Sequence, residues 1–156
     1  MAKPPAPGLS ILQPLLGEWG SIPAGEEPAS KMPCTRHFTK LWGGAYYRLG
    51  VRWAMEGGKV FEEVAMFGTG QDGSIGFWSF TSDGKQSHGW LTDGTDVHPK
   101  AIAFVAELPA GTARMVYWPE GDGFDYAVER RTADGWDRFM RHHYTPIVDP
   151  RPKLNL

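Results

Sequence analysis

From Cys34 to Thr145 the chain alternates apolar and polar positions with a period of two, in short runs broken by glycine-bearing turns. Such alternation marks half-buried strands. The runs lie at 34–42, 45–56, 59–68, 75–81, 85–92, 101–108, 113–119, 124–131 and 136–145, and Trp19 stands where a further strand begins. Between them come Gly43-Gly44, Gly57-Gly58, Asp72-Gly73, Asp83-Gly84, Asp93-Gly94, Pro109-Ala110-Gly111, Gly121-Asp122-Gly123 and Asp134-Gly135. Sequences of this kind supply the positive φ that hairpin turns require. One segment departs from the rhythm. Ile11, Leu12, Leu15 and Leu16 recur at helical spacing over a stretch too short to stand alone, so it is expected to cap the fold.

Nine or ten strands joined by short turns form a next-neighbour meander, which as an open sheet would expose two edges. Closure into a barrel removes them. A sandwich would need longer crossovers than these connections offer. The expected fold is all-β: a single antiparallel up-and-down barrel of about ten strands spanning 10–145, with a short N-terminal helical cap. Residues 1–9 and 146–156 read as tails.

The turns also set registers. Two-residue loops at Gly43-Gly44 and Gly57-Gly58 place Phe38, Trp42, Tyr47, Leu49, Val51, Trp53, Met55, Val60, Val64 and Met66 on one face. His37, Arg48, Arg52 and Glu63 fall on the other. The first face is the expected interior, and it also takes in Arg36, Lys40 and Glu62. The two cations are expected to snorkel outward. An inward Glu62 beside Trp53 needs a partner or a wet cavity. In the last hairpin, opposing Glu129 to Arg138 and Arg130 to Asp137 matches charges, and it sends Phe124, Tyr126, Val128, Phe139, Arg141 and His143 inward. The facing of 75–92 stays open, because Phe77 on one side and Trp78 and Phe80 on the other are equally apolar. A wall apolar on both faces suits a homodimer contact.

Composition narrows the function classes. The net charge of −2, the pI near 6.2 and the lack of a basic stripe argue against nucleic acid. No apolar run approaches the ~20 residues of a membrane-spanning helix. The single cysteine, Cys34, forms no internal disulfide, which suits a reducing, cytoplasmic setting. The five histidines, His37, His88, His98, His142 and His143, show no chelating spacing, so no metal site is expected. Cys34 and His37 lie on opposite strand faces and make no nucleophilic dyad.

Leu16-Gly17-Glu18-Trp19 resembles the Gly-x-Trp of the first strand in calycin barrels: the lipocalins, fatty-acid-binding proteins and nitrobindin-like proteins. The stretch 10–145 resembles the bacterial calycin-like domains of unknown function close to nitrobindin-like barrels. The resemblance implies that Trp19 plugs a closed end, with Arg138 or Arg141 packed over it. Arg141-His142-His143 stands at the spacing of the Arg-x-Tyr pair that holds a carboxylate on the last strand of fatty-acid-binding proteins. The chain departs from nitrobindin-like patterns at Gly20-Ser21-Ile22-Pro23, and the second lipocalin motif and disulfide pair are absent.

The expected function is binding of a small hydrophobic ligand, with room for an anionic head, in a cavity lined by Phe38, Leu49, Val51, Trp53, Val64, Met66, Tyr126 and Phe139. Arg141, His143, Tyr126 and Glu62 are the expected polar hooks. One alternative is nitrobindin-like heme binding through His143 or His88. Another is a cavity enzyme using Glu62 and a histidine as acid and base. The last is a filled barrel that makes only protein contacts. No catalytic residue is assigned, and the balance leans away from an enzyme.

Overall fold

The computed structural model describes residues 8–147; of the expected tails, 1–9 and 146–156, positions 1–7 and 148–156 lie outside the described residues, while Leu9 opens the 3₁₀ segment and Pro146 ends the last strand. Ten strands follow the predicted runs: β1 (Gly17–Pro23), β2 (Cys34–Leu41), β3 (Tyr46–Ala54), β4 (Val60–Thr69), β5 (Ile75–Thr81), β6 (Gln86–Thr92), β7 (Ile102–Leu108), β8 (Gly111–Glu120), β9 (Gly123–Thr132) and β10 (Gly135–Pro146). They close into one antiparallel up-and-down barrel in chain order, with β1 bonded to both β2 and β10. Closure leaves no strand edge to protect.

The connections alternate between the two ends of the barrel. The β2–β3, β4–β5, β6–β7 and β8–β9 turns share one end with a 3₁₀ segment, Leu9–Leu15. This segment is the predicted cap. Leu9, Leu12 and Leu15 are buried, and the Tyr47 hydroxyl donates to Gln13 Oε1 at 3.1 Å. Pro14 lies inside the segment and lacks the N–H that an α-helix would use there. The opposite end carries the β1–β2 connection with its 3₁₀ turn, Pro28–Lys31, and the remaining hairpins.

The β2–β3 register agrees with the expectation, with Arg36 opposite Val51, Phe38 opposite Leu49 and Lys40 opposite Tyr47. The β3–β4 register differs by one residue. Val51 faces Glu63, and Arg52 faces Glu62. The Met55 N–H donates to the Lys59 carbonyl at 2.8 Å, enclosing a three-residue loop, Glu56-Gly57-Gly58. The same geometry recurs between Gly70 and Ser74 and between Thr81 and Lys85, each time with a positive-φ glycine in third place: Gly58, Gly73 and Gly84. This is a turn closed by a left-handed residue, not a primed two-residue turn. One extra loop residue flips every side chain beyond it. Glu63, Ala65 and Phe67 therefore point inward, and Glu62, Val64 and Met66 outward.

The last hairpin starts as expected, with Glu129 opposite Arg138 and Arg130 opposite Asp137, but a β-bulge at Phe139 shifts the ladder so that Met140 meets Val128. The extra residue reverses the facing of everything after it. Met140, His142 and Tyr144 turn inward; Phe139, Arg141 and His143 turn outward, and Phe139 is 40% exposed.

Aromatic rings fill most of the interior. Phe38 lies 5.8 Å from Tyr117 and 6.2 Å from Phe67; Phe104 lies 5.3 Å from Phe67; and Phe124 stacks on Tyr144 at 5.1 Å. The open question of 75–92 is answered by register. Phe77 and Ser79 face in, while Trp78, Phe80, His88 and Trp90 face out. Trp90 lies flat on the wall because Gly76 has no Cβ, which would stand 2.8 Å from the indole. Trp42, expected inside, is exposed at the β2–β3 turn with φ 49°.

A second small core lies outside the barrel. The loop between β6 and β7 folds over the wall, packing Val97 and Ala101 on Ala103, Val116, Trp118 and Ala127. Arg114 pins it by donating to both Asp96 oxygens, at 2.8 and 2.9 Å, while its other donors hold Glu129.

Candidate functional site

Among the described residues, a cavity bears on the barrel interior toward each end. The larger lies at the capped end and has a volume of about 400 Å³. Ile11, Pro14 and Leu15 of the cap form one wall; Leu91, Ile102, Tyr117 and Phe124 form the barrel side; Ala101, Trp118 and Pro119 complete it. Its polar groups are few, with Asp93 and Lys100 on the β6–β7 loop. The Asp93 carboxylate is engaged by the Thr95 N–H and hydroxyl at 3.0 and 3.1 Å, which hold its pKa below the usual carboxylate range. Lys100 makes no ion pair among the described residues.

The smaller cavity, about 40 Å³, lies toward the other end, with Arg36, Glu63, Tyr117 and Tyr126 as its polar lining. Arg36 does not snorkel. It is 3% exposed, its Nη1 donates to the Tyr117 hydroxyl at 2.8 Å and its Nε to the Tyr144 hydroxyl at 3.2 Å, and its guanidinium lies 3.9 Å from the centre of the Tyr126 ring. Burial pushes Tyr126 up to about 12 and raises Tyr117 and Tyr144 well above the usual phenol range, so all three are neutral phenols at ordinary pH. Glu63 accepts a hydrogen bond from the Ser79 hydroxyl.

His142 continues this network. Because Tyr144 oxygen accepts from Arg36, its O–H is free to donate to His142 Nδ1, 3.2 Å away. That tautomer carries its proton on Nε2, which is buried without a hydrogen-bond partner. Burial, reinforced by the Arg36 charge, lowers the His142 pKa from 6.5 to about 4. The sign follows from linkage. Between pH 6.5 and 4 the unfolded chain takes up a proton that the native protein refuses. Stability should therefore fall as pH drops through that window and level off below it, by up to about 2 kcal/mol after allowing for solvent screening. His143 contributes with opposite sign: although burial works against it, bonds to Asp125 and Asp122 raise its pKa. Denaturant titrations of wild type and His142→Phe isolate the term, and parallel pH profiles for the two would refute it.

The predicted site residues divide. Tyr126, Phe38, Leu49 and Val51 are buried and inward, and Trp53 is inward, half-buried and 5.3 Å from His142. Only Leu49 and Tyr126 among them line the small cavity. The others are corrected by the two register shifts. Glu62 is on the outer wall, 3.1 Å from Arg52, and so cannot serve as an interior acid. Met66, Val64 and Phe139 face outward. Arg141 and His143 converge on the buried Asp125 from outside the barrel, with Arg141 Nε at 2.7 Å and His143 Nδ1 at 2.6 Å. The implied packing of an arginine over Trp19 is also absent. Arg138 and Arg141 lie over Trp118, while Trp19 faces Phe124 and donates to the Leu15 carbonyl.

Heme does not fit these residues. His143 and His88 are on the outer wall, and the inward His142 is fully enclosed and lines neither cavity. The larger pocket has no histidine in its lining.

Sequence reasoning passed over Arg36, Tyr117, Tyr144 and His142, and it placed no pocket at the cap. The phenols had a signal: Tyr117 and Tyr126 pair directly across β8 and β9, and Tyr144 shares their inward face once the bulge is counted. No protein-family model matches the chain, and no curated protein matches it.

Proposed function

We propose that the protein binds a small, predominantly hydrophobic molecule at the capped end of the barrel. The observation that carries this reading is the 400 Å³ pocket with its largely apolar lining. Ligand sites have volumes of roughly 300–1,000 Å³ and few polar groups. Lys100 at the rim suits an anionic group on the ligand. The calycin-like assignment and a cytoplasmic setting, on the single free Cys34, belong to the same proposal. No helix among the described residues is long and apolar enough to cross a membrane.

The probe is 8-anilinonaphthalene-1-sulfonate, an apolar anion that fluoresces when desolvated. Ile11→Trp fills the pocket from its solvent side and is expected to weaken the probe by about tenfold, a loss of ~1.4 kcal/mol. Lys100→Glu should weaken this anion more than the neutral dye Nile red. Unchanged affinity in Ile11→Trp would remove the proposal.

A second reading rests on the outer wall. Phe80 and Trp90 are 50% and 39% exposed, and Trp78 stands 5.9 Å from Trp90. Contiguous exposed aromatics suit a contact between two copies of the chain. A native mass spectrum of the probe-saturated protein reads both retained ligand and subunit number.

A further inference from the structure

Arg36 is a buried cation with no carboxylate in direct contact. Among the described residues none lies within ion-pair distance of it, Glu63 shares its cavity without reaching it, and its side-chain hydrogen bonds run from Nε and Nη1 to phenol oxygens. Its contacts are the hydroxyls of Tyr117 and Tyr144 and the face of Tyr126. Cation–π contacts and two hydrogen bonds to neutral phenols return only part of what a charge loses on leaving water. The remainder calls for a negative partner, and a cavity of about 40 Å³ adjoins the guanidinium.

The geometry points to a binding site in this cavity for a small monovalent anion, bound by the Arg36 guanidinium beside the Tyr117–Tyr126 ring pair. A water needs ~10–15 Å³ of such volume, so the cavity admits about three heavy atoms. Formate has that size and presents two oxygens to a guanidinium fork. Leu49, Phe77, Phe104 and Met115 supply a dry wall that strengthens the charge interaction. Glu63 is the other charged group of the lining, and its carboxylate opposes a bound anion. The site lies toward the opposite end from the cap pocket, and its occupant is of a different size, so neither reading depends on the other.

That opposition gives a signature with a definite sign. Sodium formate is titrated into the full chain at constant ionic strength, balanced with sodium sulfate, whose anion is too large for the cavity. The readout is the ¹⁵N–¹H resonance of Arg36 Nε. Wild type should show a saturable shift with formate. Glu63→Gln keeps an acceptor for Ser79, removes the opposing charge and should tighten binding by about tenfold. Arg36→Lys, followed by the shifts of neighbouring backbone amides, should abolish saturation. If that variant does not fold, Glu63→Gln carries the test. An unsaturable shift, an equal response to sulfate, or an unchanged formate affinity in Glu63→Gln would overturn the proposal.

Discussion

Arg114→Met is expected to destabilise the protein by about 3 kcal/mol, the lower part of the range for breaking a buried ion pair. The side chain of Arg114 is 4% exposed and that of Glu129 is 6%, while Asp96 is 58% exposed. The two carboxylates should therefore respond differently. Asp96 returns to water at little cost. Glu129 stays under the wall with one oxygen held by Arg138 at 3.2 Å and the other deprived of its donor. Methionine fills much of the arginine stem's volume, so the loss is charge and hydrogen bonding, not packing. The double variant Arg114→Met, Glu129→Met should recover most of the stability, because no uncompensated charge remains. Chemical denaturation with an unchanged m-value checks both figures. A loss below about 1 kcal/mol in the single variant would contradict the account. A functional consequence follows from the same contact. Arg114 fastens the β6–β7 loop, and that loop supplies Asp93, Gly94, Lys100 and Ala101 to the large pocket. Arg114→Met should therefore weaken the fluorescent probe without touching it.

Phe38→Ala should cost about 3–5 kcal/mol. The ring is 1% exposed at the centre of the barrel, with the rings of Tyr117, Phe67 and Phe124 at 5.8, 6.2 and 6.4 Å. These neighbours come from β8, β4 and β9, on opposite sides of a closed sheet. Strands bonded on both edges cannot collapse into the void, which places the cost in the upper part of the range. Phe38→Leu preserves most of the volume and should lose no more than about 1.5 kcal/mol. Similar losses for the two variants would show that the interior relaxes more freely than this packing implies.

The strand pattern was legible because it is local. Alternation, turn residues and the capping leucines each occupy a few neighbouring positions, and the short connections leave closure as the way to protect the edges. Facing was not legible to the same degree, because parity is a property of the whole path through each turn. Reading Gly57-Gly58 as a two-residue loop, when Glu56 joins it, exchanged Glu62 for Glu63 and Met66 for Phe67. The bulge at Phe139 exchanged Arg141 and His143 for His142 and Tyr144. Charge pairing at Glu129 and Arg138 fixed the register at the turn, but a ladder can change phase further along.

The candidate sites rest on still longer-range relations. Arg36 on β2 meets Tyr117 on β8 and Tyr144 on β10, separated by 81 and 108 positions, and only closure of the sheet brings them together. The cap pocket joins the first described segment to the β6–β7 loop and the β8–β9 turn, with nothing in the spacing of these segments to announce it. The sequence by itself determined an all-β meander of about ten strands with an apolar N-terminal cap, since propensity and period act residue by residue. The tertiary structure alone decided which face of β4 and β10 is interior, that Arg36 is buried unpaired, and where space remains. Those outcomes depend on the sum of loop lengths and bulges around a closed ring and on the packing of rings across it.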